Sequence, residues 1–110
     1  MKEKKGMTDA QLEAVAQQFG ILAESSRLRL LRALMGGPMN VTELIEATGM
    51  KQGNVSKHLG VLLQARFVAR EQQGNFARYT LANPMLFPLC ELMCGSVEED
   101  AKRRMQELSR

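Results

Sequence analysis

TELIEATGMKQGNVSKHLGVLLQAR, residues 42–66, divides at Gly49 into two runs whose reading decides the fold. The first run carries Leu44, Ile45 and Ala47 on an apolar side, and Thr42 stands in front of them with a hydroxyl able to cap a helix. Gly49 supplies the backbone freedom that a tight turn needs. In the second run Val55, Leu59, Leu62 and Leu63 recur at helical spacing and predict a buried face. The same periodicity leaves Gln52, Asn54, Ser56 and Lys57 on the opposite surface, where amide, hydroxyl and ammonium groups can reach base edges or phosphates. Two short helices about a glycine turn, the second with a polar start, are the layout of a helix-turn-helix. Taken alone, that layout also occurs in folds that never touch nucleic acid.

The residues downstream narrow the choice. Phe67 to Glu71 is β-prone, Gln72-Gln73-Gly74-Asn75 reads as a turn, and Phe76 to Leu81 returns as a second strand carrying Tyr79 and Thr80. A hairpin placed directly after a helix-turn-helix makes a winged helix, with the basic Arg70 and Arg78 on its strands. Upstream, Thr8 and Gln11 suit a capping box, and Leu12, Val15, Ala16 and Phe19 form the stripe of a first helix that Gly20 is expected to bend or end. Ser25 or Ser26 is expected to cap a second helix with Leu28, Leu31 and Leu34 inward, closed by Gly36-Gly37-Pro38. Its Arg27, Arg29 and Arg32 read as a solvated or ion-paired face. The predicted fold class is mainly α with a small β-wing, in the order α-α-α-α-β-β-α.

Three segments together resemble the ArsR/SmtB family of bacterial winged-helix repressors, over the stretch from Phe19 to the C-terminus. They are LAESSRLRLLRAL (Leu22 to Leu34), GMKQGNVSKHLGVLLQARFV (Gly49 to Val68) and REQQGNFARYTL (Arg70 to Leu81). The resemblance implies a homodimer built on the first and last helices, and double-stranded operator DNA as partner. It places Gln52, Ser56 and Lys57 among the DNA-contacting side chains, and Gly53 where a small polar residue is common. Asn54, His58 and Arg78 complete the candidate DNA set; His58, the sole histidine, reads as a packing or phosphate-contacting residue rather than a metal ligand.

Length and composition agree. A chain of 110 residues buries one core, and small domains often gain stability by oligomerising. The expected organisation is a basic disordered tail over residues 1–6, followed by a single DNA-binding and dimerisation domain over residues 7–110. A net charge of +3 is compatible with DNA without pointing to it. No apolar run approaches the roughly 20 residues of a membrane span, and MKEKKG lacks a signal peptide's apolar segment, so a cytoplasmic protein is expected. Two cysteines in such a compartment argue against a disulfide framework.

The last segment carries the other chemistry. Asn83-Pro84 reads as a cap with proline at the first helical position, while Pro88 predicts a kink or a late start. Leu89, Cys90, Met93, Cys94 and Val97 then make an apolar stripe that needs a partner. Cys90 and Cys94 share one helix face with β-carbons about 5 to 6 Å apart. A disulfide wants about 3.8 Å between β-carbons, whereas two thiolates on a tetrahedral metal with bonds of about 2.3 Å need only rotamer changes. Cys90 and Cys94 are thus candidate sensing residues for a soft metal, a metalloid, reactive sulfur or an oxidant, and equally candidate core residues. Cysteine and histidine sets found in other members of the family are absent: Asn40 and Thr42 fill one such segment, and His58 stands alone. No cofactor is required by this reading. An enzyme is not expected, because no base is arrayed beside either thiol. The alternatives are a repressor whose thiols only pack, and a winged-helix module that binds protein.

Overall fold

The computed structural model describes residues 6–109, so the tail expected over residues 1–6 lies almost wholly outside the described residues. Seven elements follow in order: α1 (Asp9–Leu22), α2 (Ser25–Leu34), α3 (Val41–Thr48), α4 (Gln52–Gln64), β1 (Val68–Gln73), β2 (Phe76–Leu81) and α5 (Leu86–Leu108). This is the expected winged helix-turn-helix. No helix among the described residues is long and apolar enough to cross a membrane.

The core is made where α2, α3 and α4 cross, and each contributes one stripe at helical spacing. From α2 come Leu30, Leu31 and Leu34, from α3 Leu44, and from α4 Val55, Leu59 and Leu62; Phe67 and Leu86 close the ends. Leu28, expected inward, is 41% exposed instead. The buried stripe of α2 runs through positions 30, 31 and 34 with half-buried Arg27 at its head, rotated from the run that the leucines alone suggest, so Leu28 faces a second surface. Ala47 of α3 is likewise exposed, and Val41, Ile45 and Thr48 flank Leu44 in its place.

Helix ends account for most other departures. The capping box of Thr8 and Gln11 forms as expected, with the Thr8 hydroxyl accepting from the Gln11 amide at 3.1 Å. Gly20 does not end α1, which runs on to Leu22. Neither Ser25 nor Ser26 caps α2: the N-cap is Glu24, without a side-chain bond, and both serines are already helical. Thr42 does not cap α3. Asn40 does, accepting from the Glu43 amide at 2.8 Å, while Glu43 Oε1 accepts from the Asn40 amide at 2.9 Å. Such reciprocal bonds satisfy two of the orphan donors at a helix start. Gly49 ends α3 at φ +73°, the left-handed turn that the sequence requires there.

α4 ends in a Schellman motif on a non-glycine residue. Arg66 lies at φ +65°, its amide donates to Leu63 O, and the Phe67 amide donates to Leu62 O, both at 3.0 Å. Phe67 is thereby swung into the core against α4 and launches β1. The hairpin is tighter than expected: Gln73 pairs with Phe76, leaving only Gly74 and Asn75 as the turn, with Gly74 at φ +61°. A single bridge between Met39 and Tyr79, with bonds of 3.1 and 2.8 Å, fastens the α2–α3 connection to the wing and was not foreseen.

α5 starts late, as Pro88 suggested, at Leu86. Asn83 shapes the entry by accepting from the Met85 amide at 2.9 Å, and Pro88 falls in the first helical turn, where its missing N–H costs no intrahelical bond. The helix spans about 34 Å and only its start is packed within the chain, Leu86 being its sole buried residue. The radius of gyration, 17.4 Å, exceeds the roughly 13 Å of a compact domain of this size. The extended arrangement leaves apolar helix faces that the chain does not cover itself: Leu12 and Phe19 on α1, and Leu92, Met93 and Val97 on α5.

Candidate nucleic-acid interface and thiol groove

The first turns of α4 present Gln52, Asn54, Ser56 and Lys57 to solvent, all exposed, while Val55 at the centre of that run is fully buried. Burial of Val55, Leu59 and Leu62 fixes the rotation of α4 about its axis, and that rotation aims the four polar side chains outward. Lys51 is the N-cap and makes no side-chain capping bond, so the amides of the first turn and an exposed ammonium share one end of the helix. Sequence reasoning missed Lys51. A Cβ added at Gly53 would meet nothing within 4 Å, so packing inside the chain does not demand glycine there.

Two members of the expected DNA set are placed otherwise. His58 is 7% exposed and belongs to the buried stripe of α4, at the spacing of Val55, Leu59 and Leu62. Its Nδ1 accepts from Arg27 Nε at 3.2 Å, which makes the neutral ring the tautomer protonated at Nε2. Burial first, then the positive charges of Lys57 and Arg27, push its pKa below the ordinary 6.5, opposed by Glu24. His58 is therefore a packing residue and not part of the exposed reading face. Arg27, expected on a solvated or ion-paired face, is instead half-buried and held by the same bond and by a second, from Nη1 to Ile21 O at 3.1 Å.

Arg78 sits mid-strand opposite Glu71 rather than at the tip of the wing. Its Nη2 donates to Pro38 O at 2.8 Å and stands 3.9 Å from Glu43 Oε1. The guanidinium thus ties the base of the wing to the α2–α3 connection, and only about a third of the side chain is exposed. The wing tip itself exposes Gln72, Gln73, Gly74, Asn75 and Phe76, and Arg70 stays exposed on β1.

Cys90 is half-buried and Cys94 exposed; both are free thiols. They line one groove of about 850 Å³ between α5 and the edge formed by α1 and α2. Phe19, Leu22, Leu28 and Met35 make one wall and Phe87 and Met93 the other, with Arg29 and Arg32 also lining it. This is the second surface that Leu28 serves. Burial, and secondarily the neighbouring Cys94, raise the Cys90 thiol above its ordinary pKa. Among the described residues no group of three or more His, Cys, Asp or Glu side chains is placed to hold a metal ion, so one chain offers a soft ligand two sulfurs.

The chain matches known proteins along its length. Residues 24–70 match the model of the family described as bacterial regulatory protein, arsR family. A probable mercury resistance operon repressor of Streptomyces lividans is 31% identical over 80 residues, which is 73% of this chain and 64% of that protein. Among solved structures, the AntR antimony-specific transcriptional repressor is 34% identical, covers 91% of each chain and superposes with a TM-score of 0.79. The homodimeric winged helix-turn-helix domain Mb0332 of Mycobacterium bovis is 27% identical, covers 91% of this chain and 95% of that one, and gives a TM-score of 0.77. The matches span less than two thirds of the length of the first curated relatives, between 59% and 64%.

Proposed function

The chain belongs to the bacterial ArsR family of regulatory proteins, and on that premise we propose that it is a homodimeric transcriptional repressor that releases its operator when an effector engages Cys90 and Cys94. The observation that carries the DNA half is the exposed row Gln52, Asn54, Ser56 and Lys57, held outward by the buried Val55, Leu59 and Leu62. Gln52 and Asn54 have the amide geometry for base edges; Ser56, Lys57 and Lys51 suit phosphates. The open space at Gly53 lets a phosphate approach the helix backbone closely. The uncovered apolar faces of α1 and α5 are the surfaces on which a second copy would seat, setting two α4 helices to meet successive major grooves about 34 Å apart.

The thiol half rests on the shared groove. Two sulfurs on one helix face suit thiophilic elements, and relatives named for mercury resistance and for antimony specificity point to the same class of effector. A third thiolate, where the effector demands one, would come from the other subunit, since one chain holds only two cysteines. The effector acts by its differential affinity: it binds better to the dimer geometry whose α4 helices no longer fit the operator. An operator selected from a random-sequence DNA pool, then titrated against salt and against trivalent antimony, tests both halves. Affinity that does not fall with salt refutes the DNA reading, and an operator complex indifferent to thiophilic ions and to thiol oxidants refutes the sensing reading.

A further inference from the structure

We propose that Arg27 is a positioning residue that couples the end of α1, which walls the thiol groove, to the recognition helix α4 through His58. Arg27, half-buried, stands on α2 three residues before the buried Leu30, and His58 stands buried on α4 three residues after Val55. A charged and a polar side chain therefore meet where each helix otherwise puts leucine or valine, and both are held by bonds. One guanidinium serves two elements: Nη1 donates to Ile21 O in the last turn of α1 at 3.1 Å, and Nε donates to His58 Nδ1 at 3.2 Å. Its donors are fixed in a rigid plane, so a shift of the Ile21 carbonyl relative to α4 loses one bond or drags the histidine. Phe19, Leu22 and Ala23, on either side of Ile21, line the groove with Cys90 and Cys94. His58 directly follows Lys57, so a displaced ring re-aims the reading face. The transmission of an effector signal rests on the proposed sensing role of the thiols; the clamp itself does not.

Four dimeric proteins with verified fold test this: native, Arg27→Lys, His58→Leu and His58→Asn. Asparagine places an acceptor where Nδ1 stands, and leucine keeps the apolar packing without it. The expected result is operator binding weakened about ten-fold, the order of one bond to a charged group, in Arg27→Lys and His58→Leu, with His58→Asn within about two-fold of native. Leucine binding as native while asparagine binds worse would show that the ring only packs, and would overturn the positioning role. For transmission, N-ethylmaleimide on the groove thiols is expected to move the ¹⁵N resonance of His58 Nδ1 in the native protein and to leave it unmoved in Arg27→Lys. A native resonance unmoved by the label, or one moved equally in both proteins, overturns the coupling. Operator release from native protein by trivalent antimony reports on the sensing role separately, and if no operator can be selected the resonance shifts still decide the clamp.

Discussion

Replacing Asn40 with alanine removes the acceptor that closes the start of α3. Oδ1 takes the Glu43 amide at 2.8 Å, and the return bond from the Asn40 amide to Glu43 Oε1 is 2.9 Å, so alanine deletes one bond of the pair and frees the glutamate that completed the other. The site is solvent-accessible, which sets the cost near the middle of the range for caps, about 1 kcal/mol. Thr42, the residue that the sequence first suggests as cap, stands one position inside the helix and is exposed. Thr42→Ala exchanges a poor helix former for the best one and should be neutral or stabilising by up to roughly 0.7 kcal/mol. The two substitutions therefore differ in sign. Urea unfolding followed by far-ultraviolet circular dichroism reads them, at one fixed chain concentration because the proposed dimerisation would shift the midpoint. With a slope of about 1–3 kcal/mol/M, Asn40→Ala should lower the midpoint by roughly 0.3–1 M and Thr42→Ala should leave or raise it. A lower midpoint for Thr42→Ala with Asn40→Ala unchanged would refute the capping argument.

Gln52→Ala should relax base preference at one operator position by about 1–3 kcal/mol, whereas Lys57→Ala should weaken all sequences alike and reduce the salt slope by about one; selection on randomised sites and a salt titration separate them. Arg78→Ala should lower the urea midpoint by the order of 1 kcal/mol through the lost bond to Pro38 O, with less effect on operator affinity than Lys57→Ala; affinity lost at unchanged stability would return Arg78 to the DNA. The folded-state pKa of His58 lies below 6.5, so the unfolded chain binds the proton better: its contribution to stability is complete above that pH and is lost as pH falls through and below it, a dependence that His58→Asn should flatten in unfolding curves. The Cys90→Ser/Cys94→Ser protein should still bind operator yet resist release by trivalent antimony, and native release should grow more sensitive as pH rises, because the raised Cys90 thiol must lose its proton to bind; a double mutant released normally would make both cysteines packing residues.

The winged helix was legible because its signals are local. Gly49 needed a left-handed turn, Gly74-Asn75 a hairpin, and Val55, Leu59 and Leu62 marked one face of α4; each is decided by residues within one turn of one another. The polar row from Gln52 to Lys57 followed from the same periodicity, by subtraction. His58, read as either a packing or a phosphate-contacting residue, is buried, and its position carried that signal, since 55, 58, 59 and 62 is an unbroken core spacing with one polar member. The same holds for Arg27 ahead of Leu30, Leu31 and Leu34. Reading such a residue as exposed treats polarity as stronger than position, and the rule fails wherever a partner makes burial affordable. Here His58 finds its partner in Arg27, 31 residues away along the chain, which no local pattern reveals, and Arg27 adds the Ile21 carbonyl.

Packing between chains leaves a different kind of ambiguity. α1 and α5 carry apolar stripes as α2 and α4 do, yet those of the first pair stay largely exposed and those of the second build the core. Periodicity reports that a face wants covering, and the covering can come from the same chain or from another. What separates the cases is geometry: α2, α3 and α4 cross within short connections, whereas α5 leaves the core after Leu89, faces only an open groove at Met93 and carries Val97 into solvent. Cys90 stands at that point of departure, half-buried, and Cys94 one turn further out, exposed. A ligand bridging them grips the helix where intrachain packing ends and the surface left for a partner begins. About 21 Å of helix runs on beyond Cys94 to Leu108, so under the proposed sensing role a small change at the thiols would be amplified along the face left for a second copy.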